Sequence, residues 1–220
     1  MRYLFPAILG ICGVAILVSL GTWQLRRLAW KEAALAEIEA RIGAAPVAVP
    51  AAPDPEADRF LPVQAEGELG NDALMVLASI KQVGAIHRFI TTLTTPEGRV
   101  LLVDLGYRTI VSADISVPQG AVQLTGNLHW PDEVDSFTPE PDNDLWFARD
   151  VPAMAEALGA EPVLIVAREV RPGSTITPLP VSTAGISNDH LEYALTWFGL
   201  ALVWLGMTVF LMWRIKRRTA

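Results

Sequence analysis

The sequence of 220 residues contains a single cysteine, Cys12, and only three histidines. One cysteine cannot form a disulfide within the chain, and it cannot build a thiolate metal site. The chain also lacks a Gly-x-Ser-x-Gly elbow, a phosphate-binding loop and a dinucleotide-binding fingerprint. Because nothing in the sequence indicates catalysis, we expect that this protein is not an enzyme.

Charge is missing from two long apolar runs, which extend from Tyr3 to Trp23 and from Ala194 to Trp213. Each run has about the 20 residues that a helix needs to cross hydrocarbon. An alternative for the first run is a signal peptide cleaved near Gly21. We disfavour it because the run exceeds a typical apolar signal region and no polar segment precedes that site. The predicted organisation is a transmembrane helix at 1–25, a juxtamembrane helix at 26–43, a periplasmic linker and β-rich domain at 44–190, a second transmembrane helix at 191–213 and a basic cytoplasmic tail at 214–220.

The charges between and outside the two runs predict the orientation of the chain. The segment between the runs holds all 24 acidic residues and 12 of the 17 cations, whereas the short ends carry the other five cations. Short positive ends stay in the cytoplasm, and a long acidic segment crosses largely regardless of its charge. Only Met1 and Arg2 precede the first run, so we expect no organellar transit peptide. We predict a multi-pass protein of the bacterial inner (cell) membrane, with both termini cytoplasmic and the central domain periplasmic.

The same charge balance bears on the partners. An acidic central domain argues against nucleic acid, which is bound by clustered positive charge. The lipid bilayer is the partner that the two apolar runs predict.

The central segment alternates in hydrophobicity. A stripe of leucines and isoleucines predicts that the first helix continues to Ile42 and stops at Gly43, followed by an extended linker to Asp58. Turn residues at 70–72, 96–98 and 118–120 separate short β patterns, and a helix is predicted between Asp150 and Gly159. The expected class is a membrane α + β protein whose two transmembrane helices flank a mostly antiparallel β domain, sandwich-like or barrel-like, with one short helix. The predicted strands are Val63–Leu69, Ala73–Ile80, Ala85–Leu93, Val100–Tyr107, Val122–Trp130 and Val163–Val170.

One helical face near the C-terminus carries the side chains that could bind a cofactor. The spacing in the second run places five residues on that face, namely His190, Tyr193, Trp197, Leu200 and Trp204. Imidazole is a common axial ligand of haem iron. Arg26 and Arg27 follow the first run and could bind the propionates of a haem. An ordinary aromatic belt, which would include Trp23, and arginines that bind lipid phosphates explain the same residues, so both interpretations stay open.

Other polar residues give weaker indications. His87 and His129 have no second histidine, cysteine or methionine at the spacing of a copper or zinc site, and surface or turn-capping roles are expected for both. Asp142 and Asp144 could act as an acid and base pair, but a solvated acidic loop explains them more simply.

Four segments carry a resemblance to a known family. Leu20 to Lys31 (LGTWQLRRLAWK) and Asn188 to Ala201 (NDHLEYALTWFGLA) resemble the opening and closing motifs of the surfeit locus protein family of cytochrome c oxidase assembly factors. Leu102 to Arg108 (LVDLGYR) and Asn143 to Phe147 (NDLWF) are similar to its central motifs. The match covers essentially the whole chain in the same order. The chain departs from the family's usual residues at Asp189, Glu192, Asp104-Leu105 and Tyr107, which adds negative charge.

The resemblance implies a specific function. A protein of this family would bind haem a transiently at the periplasmic ends of its two transmembrane helices, and it would assist insertion of haem a into oxidase subunit I. His190 matches the histidine proposed as axial ligand of the haem iron, and Tyr193, Trp197, Trp23, Arg26 and Arg27 become its neighbours in the haem site. The alternative is a membrane scaffold without a cofactor that holds an oxidase subunit or haem a synthase during assembly.

Overall fold

The structure, a computed structural model, describes residues 4–110 and 120–219. The predicted turn at 118–120 and the first and last residues of the chain lie wholly or partly outside this range. The described residues form two units, one made by residues up to 37 together with those from 183 onward, and a second made by residues 38–182. The elements in chain order are α1 (Leu4–Ile42), β1 (Val47–Ala48), β2 (Pro62–Ile80), β3 (Gly84–Thr94), β4 (Val100–Thr109), β5 (Ala121–Leu128), β6 (Leu145–Trp146), α2 (Val151–Leu158), β7 (Glu161–Arg171) and α3 (His190–Thr219).

Five of the described strands close into a barrel, in the order β2-β3-β4-β7-β5 and back to β2. The long strand β2 makes closure possible because residues 62–68 pair with β5 and residues 68–80 pair with β3. Four of these five pairings are antiparallel and β4–β7 is parallel, while the short strands β1 and β6 add in parallel to β2. The domain is therefore a mixed barrel, which resolves the choice between sandwich and barrel.

The predicted turn at Gly70-Asn71-Asp72 is wrong. The segment is a bulge inside the continuous strand β2, where the pairing with β3 shifts between Leu69 and Ala73. The hydroxyl of Thr91 on β3 lies 3.1 and 2.7 Å from the carbonyl oxygens of Gly70 and Asp72, so its O–H is a hydrogen-bond donor for the carbonyls of the bulge. Glycine in a strand marks bulges as well as turns, and a bulge increases the bend that a barrel needs.

Two apolar layers stabilise the barrel unit. Side chains that alternate along the strands fill the interior, with Phe89, Leu101 and Ile165 among the buried residues. The opposite face of several strands packs under α2, where Met154 is fully buried. The predicted helix is confirmed with its caps, since Asp150 accepts from the N–H of Ala153 at 3.1 Å and Gly159 is left-handed.

Other local predictions in the barrel unit are also confirmed. The turn at 96–98 connects β3 to β4, with the N–H of Gly98 donating to Thr95 at 2.9 Å. Helix α1 ends at Ile42 as predicted, and its terminal carbonyl accepts from Arg168 Nη2 at 2.6 Å and from Asn127 Nδ2 at 3.1 Å. A cation at a helix C-terminus is stabilising because it faces the negative end of the helix dipole.

The first unit is an antiparallel pair of helices, α1 and α3, each long and apolar enough by length and composition to cross a membrane. Glycines on α1 allow close packing, because a Cβ atom at any of them would overlap an α3 side chain. Successive contacts run in opposite directions along the two helices, which defines the antiparallel arrangement. The facing pairs are Gly10 with Thr208, Gly13 with Trp204, Gly21 with Phe198 and Gln24 with His190.

Candidate functional site

His190 is the first residue of α3, and its side chain contacts α1. The imidazole Nδ1 lies 2.7 Å from Oε1 of Gln24, in a half-buried position. A carbonyl oxygen only accepts, so in this arrangement Nδ1–H donates to Gln24, and a neutral ring then carries its lone pair on Nε2. The sequence predicted His190 as a ligand, but it did not identify Gln24 as the side chain that contacts it.

A hydrogen bond also connects the chain just before α3 to α1. The Nζ of Lys31 donates a hydrogen bond to the carbonyl of Ser187, three residues before His190. Lys31 lies two helical turns beyond Gln24 on the same face of α1, because seven residues make about two turns. Contacts on both sides of Gln24, from Gly21 and from Lys31, therefore hold His190 against α1.

The other predicted site residues lie at different positions around the line of contact between α1 and α3, which we call the seam. Arg27 follows Gln24 by three positions, and Tyr193 follows His190 by three. In an antiparallel pair, equal offsets from two facing residues lead to the same side of the seam. Trp23 precedes Gln24 by one position, a rotation of about 100° that carries it to that side as well. We call the surface formed by Trp23, Arg27 and Tyr193 the His190 flank.

The exposed fractions of these side chains agree with their placement on the His190 flank. Tyr193 is 57 % exposed and Trp23 is 55 % exposed, while Trp197 is half-buried near the seam, two turns along α3 from His190. The guanidinium of Arg27 lies 4.0 Å from the centre of the Trp30 ring, where it stacks on the indole. Arg26 is different, because two positions after Gln24 correspond to about 200° and carry it to the opposite side of α1. Helix periodicity therefore places Trp23, Arg27 and Tyr193 on one side of the seam where His190 and Trp197 lie, and it separates Arg26 from them.

The donor set fits a haem better than a bare metal ion. Within the described ranges, no three histidine, cysteine or carboxylate side chains are grouped as a protein-bound ion would need. One imidazole with a free Nε2, beside exposed aromatic rings and one arginine, matches what a haem takes from a protein, namely an axial ligand, apolar contact and a cation for a propionate.

A charge network around the buried carboxylate of Asp104, missed by the sequence analysis, lies in the barrel unit and extends to Glu133 on the exposed loop. Asp104 on β4 is fully buried and accepts from Arg88 Nε at 2.8 Å and from the N–H of Gly106 at 3.0 Å. Arg149 lies 3.5 Å from the same carboxylate and also binds Glu133 through a forked pair of hydrogen bonds. Burial raises the pKa of Glu133, but the hydrogen bonds and charge of Arg149 outweigh it, so the net pKa lies below its ordinary value.

His129 lies beside this network, and its expected surface or capping role is wrong. Its ring stacks on Phe60 with 5.3 Å between centroids, and its Nδ1 is buried without a hydrogen-bond partner. Burial, together with the charges of Arg149, Arg59 and Arg88, lowers the pKa of His129 to about 4, against a smaller opposing effect of Glu133. The ring is therefore a neutral packing residue. His87 is half-buried on β3.

The acidic segment that contains Asp142 is an exposed loop. Residues 131–143 are irregular and largely exposed, and both Asp142 and Asp144 are exposed. Asn143 Nδ2 donates to Asp142 Oδ1 at 3.0 Å, and the N–H of Leu145 donates to the carbonyl of Asp142 at 3.0 Å, which forms a turn. The carbonyl of Asp144 accepts from the N–H of Met75 on β2 at 2.8 Å. The solvated-loop interpretation is supported over the acid and base pair.

Comparisons with known proteins agree with the arrangement of motifs along the chain. Residues 11–202 match the model of the SURF1 family. The chain is 30 % identical to Surfeit locus protein 1 of Homo sapiens over 210 residues, which cover 83 % of this chain and 69 % of the human protein. It is 29 % identical to a SURF1-like protein of Rickettsia felis over 203 residues, covering 85 % of this chain and 88 % of that protein. Surfeit locus protein 1 of Mus musculus is 30 % identical over 208 residues, covering 82 % and 67 %.

Proposed function

Because the chain belongs to the SURF1 family, a family of cytochrome oxidase assembly factors, we propose that it binds haem a through His190 and assists its insertion into oxidase subunit I. The observation that carries this proposal is the contact between His190 Nδ1 and Gln24 Oε1 at 2.7 Å, because a neutral ring that donates through Nδ1 has Nε2 available to a cofactor. Members of this family are assembly factors rather than named enzymes, and the proposed function requires no catalytic step.

The proposal places the helix pair in a membrane. Both helices expose long apolar surfaces, and the cations at the two ends of the sequence favour cytoplasmic termini with the barrel unit in the periplasm. The similarity to a Rickettsia protein supports a bacterial inner membrane. In this orientation His190 lies at the outer boundary of the bilayer, where a lipophilic porphyrin carried in the membrane has access to it.

Each part of the His190 flank has a role in this proposal. His190 would supply one axial ligand, and the exposed rings of Tyr193 and Trp23 would cover the apolar macrocycle. Arg27 is the cation available to a propionate on this side, whereas Arg26 faces away and would contact lipid phosphates instead. The isoprenoid tail of haem a would be stabilised by burial against Trp197 and the apolar helix surfaces.

The test compares haem a content between the wild type and His190→Ala, both purified from a host that makes haem a. We expect the Soret absorption per protein to fall to background in His190→Ala. The matched control is His87→Ala, a half-buried histidine of the barrel unit, which should keep the wild-type occupancy. Equal haem a content in the wild type and His190→Ala would remove His190 from the role.

A second candidate is a scaffold without a cofactor, which would hold subunit I or haem a synthase. It is favoured by exposed small residues outside the helix seam, Ala15, Ser19 and Gly199, where another helix could approach closely. In a host unable to make haem a, a scaffold should still co-purify with subunit I, and Gly199→Leu should weaken that association. A protein without Soret absorption from a haem a-producing host would support this candidate.

A further inference from the structure

The contact between Gln24 and His190 determines which ring nitrogen of His190 carries the proton. Imidazole is neutral with one proton, which resides on either Nδ1 or Nε2, and free histidine exchanges between the two tautomers. Oε1 of Gln24 cannot donate, so a distance of 2.7 Å to Nδ1 selects the tautomer with Nδ1–H. The other nitrogen, Nε2, is then the atom that can coordinate iron. A reversed amide would select the opposite tautomer and would protonate Nε2.

Packing around Gln24 maintains this geometry. One turn toward the N-terminus, Gly21 packs against Phe198, with only 2.7 Å from its ideal Cβ position to the ring. Two turns toward the C-terminus, Lys31 holds the carbonyl of Ser187. Gln24 itself is half-buried between these contacts. Its side chain therefore has fewer conformations available, and less water competes for its hydrogen bonds.

We propose that Gln24 is a positioning residue that fixes the tautomer and ring orientation of His190, and so directs Nε2 toward the cofactor. This inference rests on the proposed haem function for its purpose, but the tautomer is a property of the protein alone. In metal sites, a histidine ligand usually donates its second N–H to an oxygen acceptor, which orients the ring and makes the ligand more basic. Gln24 would supply that acceptor from the opposite helix.

The first experiment measures the tautomer without haem. The full chain is labelled with ¹⁵N-histidine in lipid nanodiscs, and the ¹⁵N shifts of His190 are recorded at about pH 8, where ordinary imidazole is neutral. His87→Ala and His129→Phe variants assign the other two histidines. We expect protonated Nδ1 and unprotonated Nε2 in the wild type, and a mixture with more Nε2–H in Gln24→Leu. Gln24→Glu keeps an acceptor oxygen and should restore Nδ1–H.

The second experiment adds haem a to the same three proteins. Loss of an outer hydrogen bond to a metal ligand typically weakens metal binding by about 10- to 100-fold, and we expect this loss for Gln24→Leu. Gln24→Glu should retain binding and lower the reduction potential of the bound haem, because a carboxylate gives the imidazole more anionic character. A purely structural role for Gln24 would not produce this shift in potential.

The outcomes separate the two proposals. A wild-type His190 protonated on Nε2, or a tautomer unchanged in Gln24→Leu, would overturn the positioning role whatever haem does. The expected tautomer shift combined with no haem a binding by the wild type would overturn the proposed function and leave Gln24 as the residue that sets the tautomer. Equal haem affinity and potential in all three proteins would show that the tautomer does not control binding, which also contradicts the inference.

Discussion

Arg88 and Asp104 form an ion pair in the wall of the barrel, with Arg88 Nε 2.8 Å from a carboxylate that is fully buried. A second cation, Arg149, approaches the same carboxylate at 3.5 Å, and the N–H of Gly106 donates to its other oxygen. The buried carboxylate and its two arginines are tolerated because they form ion pairs and hydrogen bonds, although a group of this kind does not by itself add stability. Removing one partner is costly, because the other is left charged and buried.

We predict that Asp104→Ala destabilises the protein by about 3–5 kcal/mol, the usual cost of leaving a buried charge without its partner. Asp104→Asn should cost less, because an amide oxygen can still accept from Gly106. The measurement is the midpoint of thermal unfolding of the full chain in detergent, followed by near-UV circular dichroism. Asp142→Asn in the exposed loop is the control, and it should change the free energy of unfolding by less than about 0.5 kcal/mol. An Asp104→Ala protein as stable as this control would contradict the prediction.

His129 makes the stability of the barrel depend on pH. Its pKa is about 4 in the folded protein, against about 6.5 when unfolded, so the unfolded chain binds the proton more readily. The contribution of the neutral His129 ring to the free energy of unfolding is complete above about pH 6.5. This contribution is lost as the pH falls toward about 4, and it does not change further below that pH. The loss should reach about 2 kcal/mol once solvent screening of the partly open ring is considered. Arg149, Arg59, Arg88 and Glu133 are the charged groups that act on this ring.

The pH effect is measured as the difference in unfolding free energy between the wild type and His129→Phe at several pH values. Phenylalanine keeps the stacking on Phe60 and removes the titrating group. We expect the variant to gain relative stability as the pH drops from about 6.5 to about 4. A slope that is the same in the wild type and in His129→Phe would refute the assignment.

Gly21 is predicted to control the separation of the two helices. A side chain at this position meets the ring of Phe198, so Gly21→Leu should push α3 away from α1 and break the contact between Gln24 and His190. Spin labels at the exposed positions Leu25 and Leu195, in a Cys12→Ser background, would report the change as a longer distance in pulsed electron resonance.

Gly206→Leu is the matched control for Gly21→Leu. It lies on the same helix pair with open space around it, so the distance between the labels should be that of the parent protein. The prediction fails if Gly21→Leu and Gly206→Leu give the same distance distribution, since Gly21 would then have no role in the spacing of the helices.

Local features were predictable where a few neighbouring residues determine them. Asp150 and Gly159 bound α2 as expected, because their side chain and backbone properties act within one helical turn. The end of α1 at Ile42 and the turn at 96–98 follow from the same kind of signal. The apolar stretch of α3 from Ala194 to Trp213 was also predicted to be helical, from its lack of charge and its periodicity.

Features that depend on distant contacts were not predictable in the same way. Gly70-Asn71-Asp72 has the composition of a turn, and only the hydroxyl of Thr91 on the next strand shows that it is a bulge. His129 and Asp104 are indistinguishable from surface residues until the strands around them are paired. Gln24 did carry a signal, because it falls on the line of small and apolar residues at spacings of three and four along α1, where a polar side chain must find a partner on the other helix.

The closure of the barrel through β2 affects how this protein meets other polypeptides. In the part of the chain that the structure describes, each of the five long strands has neighbours on both sides. A free sheet edge is a template to which another chain can add a strand, and such additions lead to aggregation. Along the paired registers, the closed wall offers side chains to a polypeptide that meets it, so contacts there cannot extend through backbone pairing.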